Sequence, residues 1–382
     1  MNRILASLTF LLLAACEKQQ PEAVPAPAAS APADTDWPIT RGGPHLQGRV
    51  HASASQQPVI EWTYDLGHPA VAEAAIAEGV IVIGDVMGNI HCIDLETRER
   101  RWLLETGDTI EAAPAISEGH VFVGSGDEQF HALDIKTGDK IWTIKGGEKF
   151  SSAANIVAAP DGSGEWLLVN GYDGITRCLH PADGSEVWTY PTNDFINGTP
   201  AVIDGRYVAF GGCDMVIHIL DLSNGILVNK IACESQITSS VATSGTTIYC
   251  GNYANQVIAA DANAEQPIWI YEDKNFQFSS SPAIDEKHVY IGSRDKSLHA
   301  IDRTTGKRAW MFKTGGRIDS SPLAFDDAIV FASYDGRLYA TDPADGRELW
   351  RLDLGEDLTA SPVYAYGRIV IGGGDGTLFV LK

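Results

Sequence analysis

From residue 59 to the C-terminus the chain alternates short apolar blocks with polar punctuation rich in Gly, Asp, Asn and Thr. Residues 102–142 show the unit. "LLETGD" is polar, "IEAAPAIS" and "HVFVGSG" are apolar, "QFHALDI" is apolar up to an aspartate, and "DKIWTIK" alternates. Blocks this short, β-branched and bounded by turn residues predict strands. No window keeps a helical period, which excludes the helical repeat arrays. Each unit therefore predicts a loop and four strands.

The units repeat. "CIDLETRERRW" (92–102), "ALDIKTGDKIW" (132–142), "CLHPADGSEVW" (178–188), "ILDLSNGILVN" (219–229), "AADANAEQPIW" (259–269), "AIDRTTGKRAW" (300–310) and "ATDPADGRELW" (340–350) share one layout. His180 stands where the others carry the aspartate, and Asn229 stands where they carry the tryptophan. With Trp62 added, the register positions are 62, 102, 142, 188, 229, 269, 310 and 350. A period of about 40 residues with four strands per unit is a β-propeller blade. The last unit, "TASPVYAYGRIVIGGGDGTLFVLK" (359–382), lacks a fourth strand, and "VIEWTYDL" (59–66) lacks a blade of its own. Pairing the two closes the ring, removes the unpaired seam and predicts eight blades.

The recurring stretch reads as a packing device. Aspartate caps its own backbone and glycine takes positive φ cheaply, so "DxxTG" predicts the turn between third and fourth strands. Trp62, Trp102, Trp142, Trp188, Trp269, Trp310 and Trp350 would then lie between neighbouring blades, while Trp37 and Trp166 stand outside the register. Burying an indole hides about 200 Å², or about 5 kcal/mol gross per interface.

Composition narrows the picture. The 44% hydrophobic content supplies one large core, so residues 37–382 read as a single all-β domain. A formal charge of −22 argues against nucleic acid and anionic membrane surfaces as partners. "MNRILASLTFLLLAAC" has one arginine, an apolar run and small residues before Cys16: residues 1–15 predict a signal peptide too short to span a bilayer. Residues 16–36, rich in Pro and Ala, predict a disordered tether. "LAAC" resembles the bacterial lipobox, which implies diacylglycerol on Cys16 and a lipid anchor; Glu17, where aspartate would favour inner-membrane retention, implies the outer membrane. Of the other cysteines, Cys92 and Cys178 share a core position with Ala132 and Ala300, and Cys250 ends a second strand. Cys213 and Cys233 fall at one end of one blade, a pair open to a disulfide.

Candidate chemistry is sparse. His91, His131, His218 and His299 each lie three residues before a repeat position, on different blades. Blades about 10 Å apart cannot bring them to one metal. The sequence has no HExxH, GxSxG, CxxC or phosphate loop.

The "AxDxxTGxxxW" repeat resembles that of the pyrroloquinoline-quinone (PQQ) family over Trp62 to Lys382. The resemblance implies two alternatives. Quinoprotein dehydrogenases hold PQQ and Ca²⁺ in the central funnel. BamB-type lipoproteins of the outer-membrane β-barrel assembly machinery use an eight-bladed propeller as a cofactor-free scaffold. At the funnel end of the first strands stand Glu111, Asn197, Thr238, Ser279, Asp319 and Thr359. Glu111 and Asn197 match the calcium ligands of the dehydrogenases in type and spacing. Thr238 stands where their catalytic aspartate belongs, and Asp319 comes two blades late. Without that base, alcohol oxidation lacks a proton acceptor. The expectation is therefore a non-enzymatic, lipid-anchored scaffold on the periplasmic side of the outer membrane, without cofactor, meeting periplasmic or β-barrel assembly proteins. A PQQ-dependent dehydrogenase or a propeller holding a small ligand is the alternative. "DWPITRGGPHLQGRV" (36–50) departs from BamB-like proteins and looks more like other secreted PQQ-repeat proteins.

Overall fold

The computed structural model describes residues 36–273, 276–355 and 357–382. The expected signal peptide, Cys16 and all but the last residue of the expected tether lie outside them. Eight four-stranded antiparallel sheets stand around one axis. Blade 1 holds Ala75–Ala77, Val80–Gly84, Asn89–Asp94 and Arg100–Glu105, counted from the axis outwards. Blades 2 to 7 repeat this order, and blade 8 holds Val363–Ala365, Arg368–Gly372, Thr377–Leu381 and, outermost, Ile60–Asp65. The N-terminal strand thus closes the ring, pairing Trp62 with Val380 and Tyr64 with Leu378. Arg368 reinforces the seam by gripping Glu61 through two bonds of 2.6 and 3.1 Å.

Small side chains let the sheets converge. Ala75, Ala115, Ala201, Ala242 and Ala283 begin inner strands and are at most 1% exposed. Farther out, Ile, Val and Phe fill the spaces between blades, as period-two alternation with both faces covered requires.

The repeat aspartates cap their turns. Asp134 accepts the N–H groups of Lys136 and Thr137 at 2.8 and 2.9 Å. The Thr97 N–H, then Arg101, hold the Asp94 carboxyl down to about 2. The tryptophan of one blade docks on the turn of the next. Trp102 donates its indole N–H to Ile135 O, Trp188 to Leu222 O and Trp269 to Arg303 O, each at 2.8 Å. The turn glycine lies flat on the ring. A Cβ added at Gly138, Gly184, Gly225, Gly306 or Gly346 would fall 2.5–2.7 Å from the docked indole, and all five have φ of 67–76°. Where Asn229 replaces the tryptophan, its amide bonds Ala262 O and Ala264 O at 3.0 and 2.7 Å, and Glu265 takes the place of the glycine. Tryptophan and glycine are thus lost together. At the seam, Trp62 faces Arg98 (φ 65°) instead of glycine, and its indole N–H finds no partner among the described residues.

Residues 36–54, which the repeat does not predict, form a belt under the ring. This segment follows the lower ends of the inner strands. Trp37 bridges Ile76 of blade 1, Pro38 O accepts from Ile116 of blade 2, and Pro44 O accepts from the Asn155 side chain of blade 3 and Val202 N–H of blade 4. His45, Gln47 and Gly48 carbonyls accept from Thr243, Ile284 and Ala324 of blades 5, 6 and 7. Tyr366 of blade 8 donates to Asp36 at 2.5 Å. Every blade is bound. The belt also completes the packing code, because Trp350 donates to Ala54 O at 2.8 Å where the last blade has no turn to offer.

Candidate functional site: a hydroxyl-lined cup on the axis

The inner strands run downwards from the upper loops, so their first residues surround the axis at the top. They enclose a cavity of about 200 Å³, open above. The belt forms its floor with Thr40 and, from blade 1, Glu73. The channel is therefore a cup.

Two rings of side chains line it. The lower ring runs Thr199, Ser240, Ser281, Ser321, Ser361 from blade 4 to blade 8. Each backbone N–H donates to the hydroxyl of the next blade: Thr199 to Ser240, Ser240 to Ser281, Ser281 to Ser321 and Ser321 to Ser361, at 2.9–3.1 Å. These hydroxyls stitch the blades at the axis, where the sheets are too close for larger groups. Of the expected set, the upper ring holds Glu111, Asn197, Thr238 and Ser279, joined by Ser151, while Asp319 and Thr359 do not line the cavity.

The expected ligand pair does not converge. Glu111 on blade 2 takes the Lys149 ammonium at 2.7 Å. Asn197 on blade 4 accepts from the Ser151 hydroxyl at 3.5 Å and donates to Cys213 Sγ at 3.6 Å. A protein cation thus occupies the carboxylate that a calcium ion would need. Asp319 is likewise held by Arg294 and Arg317, both at 2.9 Å, and by Ser279 at 2.8 Å. Thr238 brings no carboxylate to the base position. These donors do not fit a calcium–quinone centre, and the described residues hold no group of three His, Cys, Asp or Glu side chains able to bind a metal.

The four histidines are packing groups on separate blades. His91, His218 and His299 meet Asp85, Asp214 and Asp295 of their own blades at 3.3, 3.0 and 3.2 Å. His131 bonds Thr143 at 2.9 Å. Burial lowers His91 and His218 and takes His131 down to about 4.

The cup floor escaped the sequence reading. Glu73 is 8% exposed; it accepts from the Thr40 hydroxyl and from Arg41 N–H at 3.2 Å. Burial raises its carboxyl, partly offset by Arg41, whose guanidinium burial lowers to about 10. Arg41 reaches under the ring to Pro322 O at 2.5 Å. Glu73 was missed because the position three residues before the inner-strand proline, which in blade 1 falls on Val71, marks the upper ring, whereas Glu73 lies two residues on, in the register of Thr199 and Ser240. The cysteines need a correction: the expected Cys213–Cys233 bond is not formed. Cys213 Sγ faces Asn197 on the funnel side, while Cys233 packs outwards against the core between blades 4 and 5.

The upper face carries one group of the exposed apolar side chains, most of the others lying along the outer strands. Phe195, Met215, Tyr253 and Phe276 are 42–49% exposed on loops of blades 3 to 6. Phe195 stacks on Tyr172 at 4.2 Å between ring centres. Cations complete the rim: Lys149 lies 5.1 Å from the Tyr172 ring and Arg317 lies 3.7 Å from the Tyr334 ring. This arrangement can bind by contact; it assembles no nucleophile, base and acid at one point.

No curated protein matches the sequence. Among solved structures, the chain is similar to BamB from Moraxella catarrhalis, with 18% identity over 85% of this chain and 100% of that one, and a TM-score of 0.70. It is similar too to the quinohemoprotein alcohol dehydrogenase from Comamonas testosteroni, with 14% identity over 92% and 81% and a TM-score of 0.74. A europium-containing methanol dehydrogenase shares 11% identity over 92% and 99%, also with a TM-score of 0.74. Likeness at this identity shows the propeller fold and leaves both functional classes in view. One family model, described as outer membrane protein assembly factor BamB, matches residues 47–271, 172–318 and 294–382. Together with eight closed blades carrying its repeat, that match makes the chain a member of the PQQ-repeat family so described.

Proposed function

We propose that the protein is a periplasm-facing lipoprotein scaffold that docks protein partners during outer-membrane β-barrel assembly, anchored through Cys16. The observation that carries this reading is the exposed apolar arc of Phe195, Met215, Tyr253 and Phe276 beside a cup whose Glu111 carboxylate is held by Lys149. Exposed aromatic and methionine side chains are the groups that supply contact energy at interfaces. Membership of a family described as an assembly factor supports the same reading.

Three experiments test it. Crosslinking in cells followed by purification should recover barrel-assembly subunits with the parent chain, and a Phe195→Asp, Tyr253→Asp variant should lose them while remaining folded. Equal recovery with the variant would remove the arc from the interface. Adding PQQ and CaCl2 to the purified chain tests the dehydrogenase alternative. A bound-quinone spectrum with dye-linked alcohol oxidation would overturn the scaffold assignment. A Cys16→Ala chain should leave the membrane fraction, and retention there would refute the anchor.

A further inference from the structure

The interface between blades 4 and 5 is built differently from the others. It lacks the docked indole, having Asn229, and lacks the turn glycine, having Glu265. It also carries cysteines on both sides. Cys233 is the first residue past the outer strand of blade 4, Leu227–Ala232, and continues its ladder by donating N–H to Met215 O at 2.8 Å. Cys250 lies in the second strand of blade 5, Thr247–Gly251, and is fully buried.

The repeat shows what a side chain at position 233 reaches. Thr106 and Thr314 hold the same place in blades 1 and 6, donating N–H to Gly88 O and Lys296 O as Cys233 does to Met215 O. Ser125 of blade 2 donates its hydroxyl to Thr106 at 3.1 Å, and Ser333 of blade 7 donates to Thr314 at 3.2 Å. Both serines close the second strand of the following blade, the place of Asn252 in blade 5. The position thus faces the second-strand end of the next blade. Cys250 is two residues before Asn252, on the same side of the strand by alternation. One apolar cluster holds Cys250 with Ile217, Ile219 and Ile231 of blade 4, and Cys233 packs against that cluster.

Both thiols are free in this structure; we infer that in an oxidising compartment Cys233 and Cys250 join in a disulfide that clamps blade 4 to blade 5 where the indole is missing. The inference rests on the reading of the chain as exported, since such bonds persist in oxidising compartments. The two thiols lose two protons and two electrons to an oxidising disulfide, which leaves as two thiols, and one S–S bond forms. Burial, with the Cys233 thiol close by, holds the Cys250 thiol well above its usual range. The exchange therefore belongs to folding, before the interface closes over Cys250.

Refolding the reduced, denatured full chain in buffer with oxidised glutathione tests the pairing independently of cellular location. Trypsin leaves both cysteines in one fragment, so cleavage after Glu234 is added. Peptides 231–234 and 235–265 should appear joined, two hydrogens lighter than their sum, and separate on reduction. Reductant should lower the melting temperature of the parent and of Cys213→Ser by about 4 °C. It should leave Cys233→Ser unmoved; this half-buried position tolerates a small polar group where Cys250 would not. A Cys213–Cys233 peptide, free alkylated Cys233, or equal reductant sensitivity in Cys233→Ser would overturn the inference.

Discussion

Replacing Gly346 by alanine isolates the contact that sets the blade spacing. Gly346 has φ of 74°, and an added Cβ would lie 2.5 Å from the Trp310 ring. Gly367 is the matched control: its φ is 72°, and nothing lies within 4 Å of an added Cβ. Both changes incur the left-handed penalty of about 1 kcal/mol. Gly346→Ala also forces the indole out of its seat, an overpacking cost of about 2 kcal/mol. The expected totals are about 3 and about 1 kcal/mol. Unfolding entropy for a propeller of this size is about 0.7 kcal/mol per kelvin, so the two melting temperatures should differ by about 3 °C. Trp310→Ala supplies the cycle. In that background the extra cost of Gly346→Ala should vanish, giving a coupling of about 2 kcal/mol. Equal costs at Gly346 and Gly367, or no coupling to Trp310, would show that the glycine is selected for its turn alone.

Three further outcomes follow from the packing. Asn229→Trp should destabilise alone, because the Glu265 turn has no flat seat for a ring, and adding Glu265→Gly should recover at least about 1 kcal/mol in denaturant melts. His131, depressed to about 4 by burial and then Lys140 against the pull of Asp127, binds its proton more weakly folded than unfolded. Its stabilising effect is complete above pH 6.5 and is lost as pH falls towards 4. The parent should lose about 2 kcal/mol between pH 7 and 5 that His131→Gln keeps, as read from urea midpoints. Trp37→Ala should cost about 4 kcal/mol, since its ring is 3% exposed in the belt, and an unchanged melting temperature would mean that the belt does not hold the ring.

What the sequence could reveal tracks what repeats. Blade number, ring closure by Ile60–Asp65 and the register of the tryptophans follow from a 40-residue rhythm that physical packing enforces eight times. The positions of Glu111 and Asn197 on the axis were legible for the same reason, but Lys149 lies outside the aligned positions, so its hold on Glu111 was not. The belt carries no period; each of its residues meets a different blade, and Pro44 or Gln47 gains meaning only once the ring exists. Cys213 and Cys233 share one blade end by spacing, but that one thiol faces Asn197 and the other the core between blades 4 and 5 depends on side-chain direction, which spacing does not carry.

The belt also bears on the order in which the molecule can be made. Asp36 to Ala54 leave the ribosome before any of their partners in the ring, and the last partner, Tyr366, follows Asp36 by 330 residues. The strap therefore gains its partners blade by blade, and its first residue waits longest. A chain halted before blade 8 keeps Asp36 and the strand Ile60–Asp65 without their partners, so such a product declares itself to the proteases that police unfolded chains.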